Sequence, residues 1–222
     1  LKLRDLSWAE TLDREVLWAS IRAEITTCRR CELHKSRTKA VPGEGNLYSK
    51  VMFLGEAPGR SEDEEGRPFV GAAGRLLTKL VESIGLRREE VFITNVVKCR
   101  PPGNREPRFE EMSACSYFTD AIVSLVNPSL IVTLGNYAGY YVFEMKGGVR
   151  WLGISRMRGR LYRLKVLGQE RAVIPTYHPA AALYNPQTLA MLQNDFTLIK
   201  EYVHCSEGRG VGLLKFLHGG NP

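Results

Sequence analysis

The stretch Val51-Met52-Phe53-Leu54-Gly55-Glu56-Ala57-Pro58-Gly59 decides how this chain folds. Its first four residues read as a short buried strand. The strand stops at Gly55, because two glycines and a proline within five residues demand a loop. Working outward, Ala73 to Ile84 reads as a helix with apolar Leu76, Leu77, Leu80, Val81 and Ile84, ended by Gly85. Val91 to Val97 is β-branched and reads as a strand, and Phe109 to Val126 reads as a helix with Pro128 just beyond it. Leu130 to Leu134, Leu161 to Leu167 and Ala172 to Tyr177 read as three more strands, the last running into His178-Pro179. Thr188 to His204 closes the series as a helix. Upstream, Trp8 to Thr27 shows helical spacing through Leu12, Val16, Leu17, Ile21 and Ile25.

Strands alternating with helices predict a three-layer α/β/α sandwich around a central, largely parallel four- to five-stranded sheet. Ligands of such sheets bind beyond the carboxyl ends of the strands. Glu56, Asn95 and His178 each fall at or just after a strand end, so the topology predicts that they converge on one crevice. Residues 1–206 are expected to form one domain, and 207–222 a glycine-rich tail.

The composition fits a globular protein, with 44% hydrophobic and 25% charged residues in 222. A formal charge of +7 suits a polyanionic partner, although an ordinary basic surface gives the same number. No secretory pattern opens the chain at Leu1-Lys2-Leu3-Arg4-Asp5, and no apolar run approaches the ~20 residues of a membrane span. Five cysteines is an odd number, which argues against a disulfide framework and for a reducing cytoplasm. Cys28-x2-Cys31 ends the first helix, and Cys99 and Cys115 form a second pair. Four thiolates so arranged can enclose an iron–sulfur cluster or a zinc ion, with buried free thiols as the remaining alternative. Cys205 has no partner and reads as a core cysteine.

The glycine loop continues through Glu62-Asp63 and Gly66-Arg67-Pro68-Phe69-Val70-Gly71 to Ala73-Gly74-Arg75-Leu76-Leu77. Together with Ile93-Thr94-Asn95, Lys98-Cys99-Arg100-Pro101-Pro102 and His178-Pro179-Ala180, it closely resembles the family 4 uracil-DNA glycosylases of thermophilic bacteria and archaea. The resemblance covers roughly Cys28 to His204. It implies a 4Fe-4S cluster on Cys28, Cys31, Cys99 and Cys115, and a monomeric enzyme acting on uracil-containing DNA, single- or double-stranded.

It also implies roles. Glu56 matches the acidic residue that positions water and stabilises the sugar cation, and His178 matches the histidine that hydrogen-bonds uracil O2. On residue type alone Asn95 reads as a strand-end turn and Phe69 as core; the resemblance makes them the base-reading amide and the stacking aromatic. The backbone at Gly55 and Ala57 is expected to line the uracil edge. Glu62 is placed against the C5 position that carries thymine's methyl, although Glu62-Asp63-Glu64-Glu65 alone reads equally as a solvated acidic turn. Leu183 is the candidate wedge into the duplex. Arg156, Arg158, Arg160 and Lys165 are candidates for phosphate contacts. The apolar stretch Gly212-Leu213-Leu214-Lys215-Phe216-Leu217 in the tail is a candidate for docking on a sliding clamp.

The sequence also bears on three rival readings. A non-catalytic uracil-DNA or single-strand binding protein on the same fold need not retain Glu56. An oxidoreductase should show a Gly-x-Gly-x-x-Gly turn, which Gly55 to Arg60 does not fit. A zinc deaminase would carry a His-x-Glu with Pro-Cys-x-x-Cys, which is absent.

Overall fold

A computed structural model describes residues 13–206. The expected tail, its clamp-docking stretch and the start of the first helix therefore lie outside the described residues. Six strands form one sheet: β1 (Glu44–Gly45), β2 (Val51–Gly55), β3 (Phe92–Asn95), β4 (Leu130–Leu134), β5 (Tyr162–Val166) and β6 (Gln169–Thr176). They lie in the order β1-β3-β2-β4-β6-β5. The four inner strands are parallel, and β1 and β5 flank them antiparallel. The helices are α1 (Arg14–Thr27), α2 (Arg60–Glu65), α3 (Ala72–Ser83), α4 (Phe109–Val126), α5 (Asn136–Tyr140), α6 (Ile154–Met157), α7 (Pro179–Ala182) and α8 (Pro186–Ser206).

Side chains alternate across a strand, and β2 shows what this does. Met52 and Leu54 join a core with Leu17, Ile21 and Ile25 of α1 and Phe118 and Ile122 of α4. Val51 and Phe53 join a second core with Leu77 and Val81 of α3 and Leu192, Phe196 and Ile199 of α8. Both faces are covered, which is why β2 is a continuous apolar run. Phe53 stacks on Phe196 with centroids 5.8 Å apart. Truncating such a ring to alanine costs about 3–5 kcal/mol.

The sheet is wider than the expected four to five strands. The extra strand, β1, is only two residues long and carries no periodic apolar pattern. The strand expected to reach Val97 ends at Asn95. There the chain turns, and the amides of Val96 and Val97 donate to the carbonyls of Gly55 (2.9 Å) and Glu56 (3.1 Å). Because β2, β3, β4 and β6 run the same way, Gly55, Asn95, Leu134 and Thr176 all end on one rim.

Candidate active site

That rim opens into a cleft of about 440 Å³, lined among others by Glu56, Ala57, Glu62, Phe69, Asn95 and His178. The three polar groups expected to converge do so. Asn95 is buried, and its Oδ1 has no hydrogen-bond partner among the described residues. An unpaired buried amide oxygen costs about 1–3 kcal/mol, a penalty that a ligand donor would relieve. Gly55 underlies it. A Cβ at Gly55 would collide with Asn95 Oδ1 and come within 2.6 Å of Phe69 Cζ, so glycine leaves the space that these two side chains occupy.

Phe69 sits at φ +51°, in the left-handed region, where a bulky residue is strained. The surroundings hold it there. Glu62 Oε1 accepts from the amides of Val70 and Gly71, both at 2.8 Å, and its Oε2 accepts from the amide of Gly59 at 3.1 Å. Arg88 donates to the carbonyl of Pro68 at 2.6 Å while paired with Glu44 at 2.8 Å. Gly74 of α3 lies so close that a Cβ there would strike the Phe69 carbonyl. Glu62 also lies on the cleft lining, where the resemblance places it. Both its oxygens are engaged by three backbone amides, which ties it to the loop that carries Phe69.

His178 precedes α7 and caps it: its Nδ1 accepts from the amide of Ala180 at 3.2 Å. Burial pushes its pKa down to about 4, against a smaller opposing effect of Glu62. The imidazole is therefore neutral near pH 7. With Nδ1 accepting, its proton sits on Nε2, which makes that nitrogen a donor. The ring lies against Phe69, centroids 5.4 Å apart and planes 27° from parallel.

Glu56 is half-buried at the end of β2. Burial, and then the charge of Glu106, raise its pKa to about 7. Glu106 accepts from Tyr137 Oη at 2.7 Å, and burial with Glu106 keeps that phenol protonated, its pKa raised to about 12. Neither Glu106 nor Tyr137 was singled out from the sequence. Glu106 lies in the segment Pro101-Pro102-Gly103-Asn104-Arg105-Glu106-Pro107, which reads as plain loop.

The remaining candidates divide. Leu183 follows α7 and is half-buried, whereas the next residue, Tyr184, is 94% exposed. Arg156, Arg160 and Lys165 are exposed. Arg158 is not free for a phosphate: it donates to Asp195 at 2.5 and 3.0 Å and to the Met191 carbonyl at 2.6 Å. Cys205, expected in the core, is only half-buried.

Cys28, Cys31, Cys99 and Cys115 line one pocket, together with Lys98, Arg37 and Phe118. Three of the sulfurs accept hydrogen bonds: Cys28 from the Arg30 amide (3.4 Å), Cys115 from the Lys98 amide (3.3 Å) and Cys99 from Arg37 Nη1 (3.0 Å). Burial pushes the Cys115 thiol up to about 12 and also raises Cys31 and Cys99. As they stand, no three His, Cys, Asp or Glu side chains among the described residues are set to hold a metal ion. The buried Lys98 joins this pocket to the cleft. Its Nζ donates to the Asn95 carbonyl and, at 3.0 Å, to Thr119 Oγ1, and burial lowers its pKa to about 8.

The sequence profile of the Uracil DNA glycosylase superfamily matches residues 42–203, the span that holds the sheet and the cleft, and the chain belongs to that superfamily. Within it, the chain is 51% identical over 182 residues to the type-4 uracil-DNA glycosylase of Sulfurisphaera tokodaii, covering 82% of each chain. It is 47% identical over 197 residues to that of Saccharolobus solfataricus, covering 88% of this chain and 89% of the relative. It is 48% identical over 178 residues to that of Archaeoglobus fulgidus, covering 80% and 89%. The chain is a member of the type-4 uracil-DNA glycosylases.

Proposed function

We propose that this cleft hydrolyses the N-glycosidic bond of uracil in DNA and leaves an abasic site, with the following division of labour. As the bond breaks, the sugar gains oxocarbenium character and the base departs as an anion. The Nε2–H of His178 donates to uracil O2, where that charge gathers. Glu56, ionised above about pH 7, orients the attacking water, takes its proton and opposes the charge on the sugar. Asn95 accepts from uracil N3–H and donates to O4. Phe69 stacks on the base, and the backbone of Gly55 and Ala57 borders it. The base must leave the helical stack to enter, at a cost of a few kcal/mol. Leu183 is the proposed wedge that fills the gap.

The observation that carries this reading is Asn95 Oδ1, buried without a partner beside the Phe69 ring. Incubation with an oligonucleotide bearing one uracil, followed by alkali to cut abasic sites, tests it. Glu56→Ala and His178→Ala should lower single-turnover excision by orders of magnitude while weakening DNA binding little, since both groups act on the transition state. A wild-type rate in either variant would refute the role assigned to that residue.

The four cysteines are proposed to hold a 4Fe-4S cluster. Four thiols on one pocket match its ligand count, and N–H donors to sulfur are what a cluster's anionic sulfurs need. Bound there, the cluster would tie the end of α1 to the segment after β3 and to α4. Ligation requires deprotonation of thiols that burial now keeps neutral, so assembly would release protons. Among the described residues no helix is long and apolar enough to cross a membrane. A monomer working beside the DNA in a prokaryotic cytoplasm accords with the reaction.

A further inference from the structure

Beside the cleft lies a second depression, about 360 Å³, that the reaction does not use. Four aromatic rings line it, Phe109, Tyr137, Tyr140 and Trp151, with Met112, Asn136 and Gly153. Phe109 is 58% exposed and the neighbouring Leu152 48%, a large apolar display for a protein surface. The rings are well seated. Trp151 packs on Phe143 with centroids 5.1 Å apart, its amide donates to Glu144 at 3.0 Å, and Gly139 leaves its ring room that a Cβ would fill. Asn136 Oδ1 accepts from the Ile154 amide at 2.8 Å, which ties α5 to the start of α6.

The depression adjoins the uracil cleft along two walls. Pro101, Asn104 and Arg105 face the cleft and Phe109 faces the depression, so one segment divides them. On that divide, Glu106 accepts from Tyr137 and acts by its charge on Glu56. On the other side, Gly135 stands where a Cβ would be 3.2 Å from His178 Cβ, and the next residue, Asn136, lines the depression. Exposed charges of both signs flank it in sequence, Arg108, Arg150 and Arg156 with Glu106, Glu110 and Glu144, so its distinctive feature is the four rings and not a net charge. Clustered, partly exposed aromatic rings are a stacking platform for unpaired bases, since any base offers a π-face. The geometry points to a second base-binding site, in which the Phe109–Tyr137–Tyr140–Trp151 depression takes an unpaired base of the substrate strand close to the extruded uridine. Continuity with the uracil cleft, through the segment 101–109 and the Gly135–Asn136 step, selects this occupant over an apolar peptide. The inference rests on the cleft being the uracil site.

The test is a binding cycle on the full chain. Wild type, Phe109→Ala and Tyr140→Ala are titrated with a single-stranded oligonucleotide holding one uracil, and with the same strand in which the nucleotides around the uridine are abasic spacers. Each variant should bind the intact strand about tenfold more weakly, the size expected for one lost stack. The saturating excision rate should stay near wild type, because neither ring touches uracil. Spacers should bring wild-type affinity down to that of the variants and cost the variants little more. Variants that bind the intact strand like wild type overturn the site, and so does an equal loss on both strands, which a general change in fold or charge would give. Should a variant fail to fold, the wild-type arm alone decides, since indifference of the wild type to spacers also overturns the site. Absence of uracil excision by the wild type would instead overturn the reading of the cleft.

Discussion

Replacing Glu106 by glutamine removes one negative charge near Glu56 and keeps an acceptor for Tyr137 Oη. The present surroundings raise the Glu56 carboxyl from 4.5 to about 7, by burial first and by Glu106 second. A group with that pKa is about 10% ionised one pH unit below it and about 90% ionised one unit above. If the carboxylate is the working form, single-turnover excision must fall roughly tenfold per pH unit on the acid side and level off on the alkaline side. Glu106 opposes ionisation, so Glu106→Gln must move the midpoint toward acid. Burial is the larger cause, so the midpoint stays nearer 7 than 4.5. The variant should therefore outpace the wild type near about pH 6 and match it in alkali. His178, with a pKa of about 4, adds no limb of its own in this window. Phosphates of bound DNA shift both profiles upward alike. The assay is alkali cleavage of an end-labelled oligonucleotide under enzyme excess, between about pH 5 and 9. A flat wild-type profile, or a Glu106→Gln midpoint that stays put or moves toward alkali, would refute the assignment of Glu56 as the ionised group.

Asn95→Asp should lose most uracil excision and gain weak cytosine excision that grows at lower pH, because a protonated carboxyl can donate to cytosine N3 and accept from N4; unchanged uracil excision would show that Asn95 does not read the base. Glu62→Ala strips three loop amides of their acceptor, and should lower the unfolding free energy by roughly 1–3 kcal/mol and slow excision by misplacing Phe69, read by denaturant titration and single turnover; wild-type values in both would show the clamp to be idle. The purified protein should be yellow-brown with iron and sulfide near four each per chain, the content of a 4Fe-4S cluster, and Cys115→Ser should lower both colour and melting temperature; a colourless, active protein holding one zinc ion would rule the cluster out. Gly55→Ala should abolish excision and leave an unchanged circular dichroism spectrum, since its methyl intrudes on Asn95 and Phe69; full activity would contradict the close packing there.

The rim of the sheet was legible because apolar runs announce strands and the first polar residue after each run announces its end. That logic places Glu56, Asn95 and His178, 39 and 83 residues apart in sequence, on one rim, while their roles come from the resemblance. What escaped has no local signature. β1 is two residues held by pairing to β3, and the left-handed Phe69 depends on Glu62, Arg88 and Gly74, each supplied by a different segment. Glutamate shows why residue type alone could not finish the task. Glu44 is half-buried, which opposes its charge, yet hydrogen bonds from Arg67 and Arg88 outweigh that and hold its pKa below 4.5. Glu62 meets backbone amides and becomes a clamp. Glu64 and Glu65, beside it in the acidic run, stay exposed, while Asp63 turns inward to accept from the Thr38 amide at 2.9 Å. Glu56, among the described residues, has burial and another carboxylate as the causes acting on it, and its pKa is raised to about 7. A carboxyl held near pH 7 can take a proton from water and give it back, which is the work proposed for Glu56, whereas the arginines on Glu44 hold its pKa down.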